Sequence, residues 1–487
     1  MKRPALDRRQ FLRGALVVGA AATVPGMAAC QTEEGRARTN PTPGTAAGVP
    51  QELIDEAAQF KGSTSNTLSQ KQYLETANGA IDRAVRQFAS QTGTTVNNVT
   101  VNTDEGNFIA KQDAAVKAGD VQDMAFVAAS RFVAQLHELG DIEDVTAEVE
   151  QLQQKYGAVG AAAEASLKID GKWWGIPYYT IGGGGWWLRK DWLEAKGIPR
   201  EQLKSFEDLR DAMLEISDPA QKRYGWGVSV NRSNDGNVLI ESVINHWGGS
   251  FTADDGRKVL FNSPETVAAV QFLADIYRDP KYKNMLPPGV MSWTDTGNNE
   301  AWLAGIVGAT LNSASIYAQS KSTGNPVYGQ TWAFEGFTGP GTDKPMNAIN
   351  IDTMAFVVFK GSKNPGLAKV LAKYLVAGDA FLGLAKESGA LVYPAYEGIW
   401  DTDTFYRTGD PYFPVAHSLV TADLPFTTTT GYNFPQPASS GRNAALSAYI
   451  LTDMMGEIVQ KGTAVPAAVA TAHQRIVQAF EQLGIKQ

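Results

Sequence analysis

Cys30 is the only cysteine in this 487-residue chain, which excludes an intrachain disulfide. Histidine is nearly as scarce. His137, His246, His417 and His473 lie far apart and form neither a His-x-x-x-His helix motif nor a Cys/His metal pattern. There is no Gly-x-Ser-x-Gly elbow, so nucleophilic catalysis has no sequence support. Positive charge is nowhere concentrated in the body of the chain, the net charge is −8, and nucleic acid is therefore not an expected partner. The glycine run at 182–185 is not followed by the Gly-Lys-Ser/Thr of a phosphate cradle and reads as a flexible connection. No cofactor and no metal are expected from these patterns.

What is present begins with a leader. Lys2, Arg3, Arg8, Arg9 and Arg13 precede an uncharged run over 14–29, and Cys30 follows. That run is short and rich in Ala and Gly against the roughly twenty apolar residues of a stable span. It reads as a cleaved export signal over 1–30. Arg8-Arg9-Gln10-Phe11-Leu12 resembles the twin-arginine address. Ala28 and Ala29 before Cys30 resemble a lipobox, with Met27 where that pattern prefers Leu, which makes Cys30 the expected lipidation site. Residues 31–50 are Thr, Pro, Gly, Ala and Glu with little to bury, so a flexible tether is expected there.

The rest is apolar enough to build substantial cores, at 43% hydrophobic and 10% aromatic, and long enough for two or three domains. Ile81, Ala84, Val85 and Phe88 share one face of a helix over 80–91 that stops at Gly93. A strand at 98–102, a helix at 108–118, a strand at 123–128 and a helix at 131–139 follow. This order predicts an α/β fold with a right-handed βαβ arrangement in a parallel sheet. Ligands at such sheets sit beyond the carboxyl ends of strands, which places 102–105 and 129–131 on the rim. Ahead of these elements, residues 66–76 offer only a polar, weak strand.

Eleven tryptophans stand out, several in stretches rich in Gly and Asn. Sugar rings present apolar C–H faces and polar edges, which suit flat aromatic surfaces ringed by amide, carboxylate and Arg groups. Trp173, Trp174, Tyr178, Tyr179, Trp186, Trp187, Trp247, Trp293 and Tyr432 form the candidate pool, with core packing as the alternative for each. In the extended pair Trp186-Trp187, one ring should face a core and its neighbour the opposite side. Trp293 precedes Asp295, Asn298 and Asn299, a mixture suited to stacking and hydrogen bonding.

An ordered series of blocks resembles the extracellular solute-binding proteins of ABC importers, in the branch that takes up sugars. The blocks are Lys117-Ala118-Gly119-Asp120 to Phe126, Gly171 to Pro177, Arg189-Lys190-Asp191, Ser205-Phe206-Glu207-Asp208-Leu209 and Trp247-Gly248-Gly249. Trp302 to Ala309, Lys363-Asn364-Pro365 and Lys386 to Pro394 continue it. The resemblance implies a two-lobed, type II periplasmic-binding-protein-like α/β fold with the ligand between the lobes. It implies crossings near 177–181, 345–350 and 388–394, with lobe 1 formed by 51–178 and 350–388 and lobe 2 by 179–349 and 389–487.

By the same resemblance, Ser130 and Arg131 stand where the first lobe meets sugar hydroxyls, although the family often has Asp at the position of Ser130. Tyr178 and Tyr179 follow the first crossing, and Trp187 and Trp247 are cleft candidates. Asn231, Asn234 and Asp235 approach from the second lobe, with an ordinary Asn/Asp turn as the alternative. Trp293, Asp295, Asn312 and Tyr432 complete the expected site; Asn312-Ser313-Ala314-Ser315 stands where many relatives have Asn-Gly-Pro-Trp. The implied function is a monomeric, non-enzymatic, lipid-anchored receptor outside the cytoplasmic membrane that delivers a carbohydrate to an ABC permease. The alternatives are a receptor for a polyamine, peptide or metal chelate, and an extracellular carbohydrate-active enzyme.

Overall fold

The computed structural model describes residues 48–101, 107–181, 185–334, 336–346, 353–389, 391–401, 404–407, 410, 412–413 and 439–487. Six strands form the first sheet. At its parallel end, β1 (Thr64–Gln70) lies between β2 (Thr95–Val101) and β3 (Met124–Ala128). The two strands read from the sequence as one βαβ unit are therefore not neighbours, because β1 separates them.

The polar composition of β1 has a physical reason. Ser65, Thr67 and Ser69 are its buried small side chains. The hydroxyls of Thr67 and Ser69 donate to Asn98 Oδ1 at 3.0 and 2.6 Å, and Asn98 Nδ2 donates to Asp82 Oδ1 at 3.3 Å. A polar seam in which Thr67, Ser69, Asn98 and Asp82 are hydrogen-bonded replaces the apolar alternation of an ordinary strand. Asp82 lies on the helix Glu75–Thr92, so the seam also fixes that helix on the sheet.

After the hairpin of β4 (Lys168–Ile169) and β5 (Lys172–Trp173), β6 (Ile176–Ile181) enters the first sheet. There it pairs antiparallel with β13 (Thr353–Val358) on one side and β14 (Val392–Pro394) on the other. Two expected boundaries move as a result. Pairing of β6 through Thr180 and Ile181 keeps 179–181, expected in the second lobe, in the first sheet, and the second sheet begins at Gly185. Pairing of β14 with β6 keeps 392–394 in the first sheet as well, and Tyr393, Tyr396, Trp400 and Tyr406 are buried in the first core beside it. The segment expected as the third crossing, 388–394, thus contributes a strand to the first sheet. At the start of the body, Val49 is already buried and its N–H donates to Gln91 Oε1, so the expected tether ends before residue 50.

The second sheet runs β10-β7-β9-β8. Here β7 (Gly185–Arg189) pairs antiparallel with β9 (Val307–Asn312) and β10 (Thr331–Phe334), while β8 (Tyr224–Trp226) is parallel to β9. A two-stranded ribbon, β11 (Phe337–Gly339) with β12 (Thr342–Met346), lies beside it. The Ser205 to Asp208 block is a capping box for the helix Phe206–Glu215: Asp208 N donates to Ser205 Oγ at 3.1 Å and Ser205 N to Asp208 Oδ2 at 2.9 Å. That helix passes so close to β8 that a Cβ on Gly225 would lie 1.9 Å from the Met213 carbonyl oxygen. The second core gathers Trp186, Phe206, Trp226, Trp247 and Phe272.

Replacing Asn98 by Ala should cost about 2 kcal/mol, since two buried hydroxyls lose their acceptor. Urea unfolding of wild type and variant measures it, and a loss below about 0.5 kcal/mol would show that the seam is dispensable.

Candidate functional site

The two cores approach each other at β7. Trp186 points into the second core, whereas Trp187 belongs to the first, where its ring stacks on Tyr317 at 5.4 Å and meets Tyr412 at 5.0 Å. The alternation expected for this pair is what the strand shows. Trp187 is only 1% exposed, and its Nε1–H donates to the Asn312 carbonyl at 3.0 Å, so it backs Asn312 rather than offering an open face. Behind it, Tyr317 donates to Asp410 Oδ1 at 2.9 Å, and Lys321 pairs with the other carboxylate oxygen. Burial, reinforced by Tyr328 and Asp410, holds the Tyr317 phenol far above the usual range.

In front of Asn312 a chain of amides and hydroxyls runs along the second lobe. Asn312 Nδ2 donates to Asn299 Oδ1, and Ser315 Oγ donates to Asn312 Oδ1 at 3.1 Å. Asn299 N donates to Asn298 Oδ1 at 2.9 Å, and Asn298 Nδ2 donates to Asp235 Oδ2 at 2.7 Å. Asp235 N donates to Asp295 Oδ1 at 2.9 Å, and Asn231 Nδ2 donates to the Trp293 carbonyl at 3.1 Å. The half-buried Trp293 ring packs against the first core from this side.

Asn231, Asp235, Trp293, Asp295 and Asn312 are thus brought together. Asn234 sits beside them as the first residue of the helix Asn234–His246, whose cap is Ser233: Gly236 N donates to its Oγ at 2.9 Å. Desolvation first, and the neighbouring Asp295 carboxylate second, push the Asp235 carboxyl up to about 8. It keeps its proton at neutral pH.

The first lobe contributes residues that the sequence reading missed. Tyr73 follows β1, remains 46% exposed, donates to Gln319 Oε1 and accepts from Asn299 Nδ2 at 3.3 Å. It therefore joins the lobes directly. Gln72 beside it accepts from the Tyr179 hydroxyl at 2.8 Å. Tyr179 is buried and props the loop after β1. Asn298 and Asn299 carried a legible signal in their spacing after Trp293; Tyr73 carried none, because the strand before it did not read as a strand.

Two expected contacts are core residues instead. Tyr178 is 2% exposed, packed on Phe356 at 4.6 Å and Phe126 at 5.4 Å, with its phenol raised by burial. The Trp247 ring lies 4.7 Å from Phe272 and 6.0 Å from Phe206. The helix before it ends there, and Gly248 at φ +85° turns the chain so that the ring falls between second-lobe helices. Ser130 and Arg131 are in the first turn of the helix Ala129–Leu139, directly after β3. Tyr432 and Cys30 lie outside the described residues. Among the described residues no group of three His, Cys, Asp or Glu could hold a metal ion, and no helix is long and apolar enough to cross a membrane.

Two sheets joined by repeated crossings, with a polar and aromatic surface where they meet, define a two-lobed solute receptor. The chain belongs to the bacterial extracellular solute-binding protein family, whose pattern matches residues 83–408. Residues 5–25 match the signal sequence of the twin-arginine translocation pathway, and the protein works outside the cytoplasm. Maltose-bound MalE3 of T. maritima superposes with a TM-score of 0.69 at 17% identity, over 85% of this chain and 99% of that one. A Thermotoga lettingae solute-binding protein bound to α-D-tagatose gives 0.68 at 17%, over 86% and 100%. An Arthrobacter chlorophenolicus sugar transporter with bound laminaribiose gives 0.67 at 15%, over 85% and 98%. The ABC transporter periplasmic-binding protein YcjN of Escherichia coli K12 is 31% identical over 126 residues, which span 24% of this chain and 27% of YcjN.

The Asp235 carboxyl gives a signed pH dependence. Its folded pKa lies above the ordinary aspartate value of 3.8, so the native state holds the extra proton and loses stability as pH rises from about 4 to about 8. Asp235→Asn should therefore gain melting temperature over wild type at pH 8 but not at pH 4. Parallel melting curves for the two proteins across that range would contradict the assignment.

Proposed function

We propose that this protein is the lipid-anchored receptor of an ABC importer for a neutral sugar or polyol, and that it is a carrier rather than an enzyme. The observation that supports this most directly is the run Asn298, Asn299, Asn312 and Ser315 beside Trp293, capped from the other lobe by Tyr73. Amides and hydroxyls exchange hydrogen bonds with sugar hydroxyls without needing a charge, and a half-buried indole suits the C–H face of a ring.

A polyamine would call for several ionised carboxylates, whereas Asp235 stays protonated at neutral pH. Solved structures similar to this one carry maltose, tagatose and laminaribiose, which agrees with the same ligand class. In this reading the lobes close on the solute because the closed form binds it better, and the loaded protein docks as a monomer on the permease. A diacylated Cys30 would hold it at the membrane, since one chain alone anchors only marginally.

Thermal-shift and calorimetric titration with maltose, laminaribiose, D-tagatose, ribitol, D-mannitol and spermidine tests the ligand class. A sugar or polyol should raise the melting temperature, and a response to spermidine alone would overturn the reading. Trp293→Ala should weaken the best ligand about tenfold through lost stacking. Tyr73→Phe should weaken it about fivefold, because closure loses both hydrogen bonds of this exposed hydroxyl, to Gln319 and from Asn299. Cys30→Ala should move the exported protein from the membrane fraction to the soluble fraction; unchanged partitioning would argue against the anchor.

A further inference from the structure

The helix Ser440–Ser447 packs against the first-lobe helix Ala129–Leu139, and it does so with unfinished hydrogen bonding. Three sides of this helix can be assigned. Gly441 faces the helix Val465–Gln482, where a Cβ would come within 2.5 Å of the Phe480 ring. Arg442 faces the helix Asn234–His246, with its Nε donating to Glu241 Oε1 at 2.8 Å and its Nη2 to the same oxygen. Leu446 lies on that side too, its carbonyl accepting from Asn237 Nδ2 at 3.0 Å. At 100° per residue, Ser440, Asn443 and Ala444 are left on the side turned to the first lobe.

Ser440 and Asn443 are 2% and 1% exposed. Among the described residues, Ser440 Oγ, Asn443 Oδ1 and Asn443 Nδ2 find no hydrogen-bond partner. Buried amides are normally satisfied, and one with neither its oxygen nor its nitrogen paired is destabilising unless something else supplies the partners. The Arg442–Glu241 pair, itself buried, holds the helix in one rotation and adds no net charge.

We propose that Asn443 and Ser440 form a solute subsite that reads two adjacent hydroxyls, a deepening that rests on the sugar reading above. One hydroxyl donates to Asn443 Oδ1 while its neighbour accepts from Nδ2, and Ser440 Oγ completes the pattern from one helical turn away. The recognised class is a neutral vicinal diol. These three atoms carry no charge, and the adjacent Arg442–Glu241 pair, whose Nη1 and Oε2 are also unpartnered among the described residues, is neutral overall, so the position favours a neutral solute.

The test uses the exported chain and whichever of maltose, laminaribiose, D-tagatose, ribitol or D-mannitol wild type binds most tightly. Asn443→Leu removes both unpartnered atoms and keeps the branched shape of the side chain. The ligand-free variant should melt at or above the wild-type temperature while affinity falls at least tenfold, a combination that a structural role would not give. Ser440→Ala should weaken binding three- to tenfold. Asn443→Ala repeats the measurement in a smaller side chain, so that overfilling by Leu does not decide the outcome.

Sugar binding unchanged in Asn443→Leu and Asn443→Ala would overturn the subsite and leave the sugar receptor standing. A lower melting temperature with unchanged affinity would do the same. If wild type binds none of the five, the sugar reading itself fails and the subsite goes with it.

Discussion

The organisation of the whole body turns on two adjacent side chains of one strand. Because consecutive residues of β7 point to opposite faces, Trp186 is committed to the second core and Trp187 to the aromatic group with Tyr317 and Tyr412. A shift of one residue would exchange the two rings and unfill both sites at once. The strand that begins the second lobe is thereby pinned to residues of the first. Asn312, whose carbonyl receives the Trp187 indole N–H, inherits its place from that pinning, and the amide chain through Asn299 and Asn298 is built outward from it.

Much of this was legible in the sequence, where periodicity and punctuation were strong. The helix expected over 108–118 occupies Phe108–Ala118, and the strand expected over 123–128 differs only at its first residue. The order of blocks gave two lobes. What could not be read was β1, since a strand whose buried side is Ser and Thr bonded to Asn98 shows no alternation of apolar and polar residues. Tyr73 was lost with it. The strand within the expected third crossing was missed for a related reason: Val392-Tyr393-Pro394 is too short to announce its pairing with β6.

Aromatic residues were individually ambiguous because a binding platform and a core residue have the same composition. Tyr178 and Trp247 sit among other rings, whereas Trp293 is set in a stretch of Asp and Asn and is half-buried. The more reliable clue proved to be the polar partner next to the ring. Small amides and hydroxyls recur wherever this protein departs from a simple apolar core: in the seam under β1, along the second-lobe rim and on the helix Ser440–Ser447.

The Tyr73 hydroxyl links the lobes through Gln319 and Asn299, groups that belong to the protein and not to its solute. That part of the closing free energy is common to every solute the cleft accepts. In the proposed receptor the Tyr73–Gln319 contact adds to the strength of capture without touching the solute, while Asn299 serves both. Variation at that contact rescales all dissociation constants by one factor and leaves their ratios untouched, so a lineage can match the receptor to scarce or abundant supplies without rewriting which molecules it recognises.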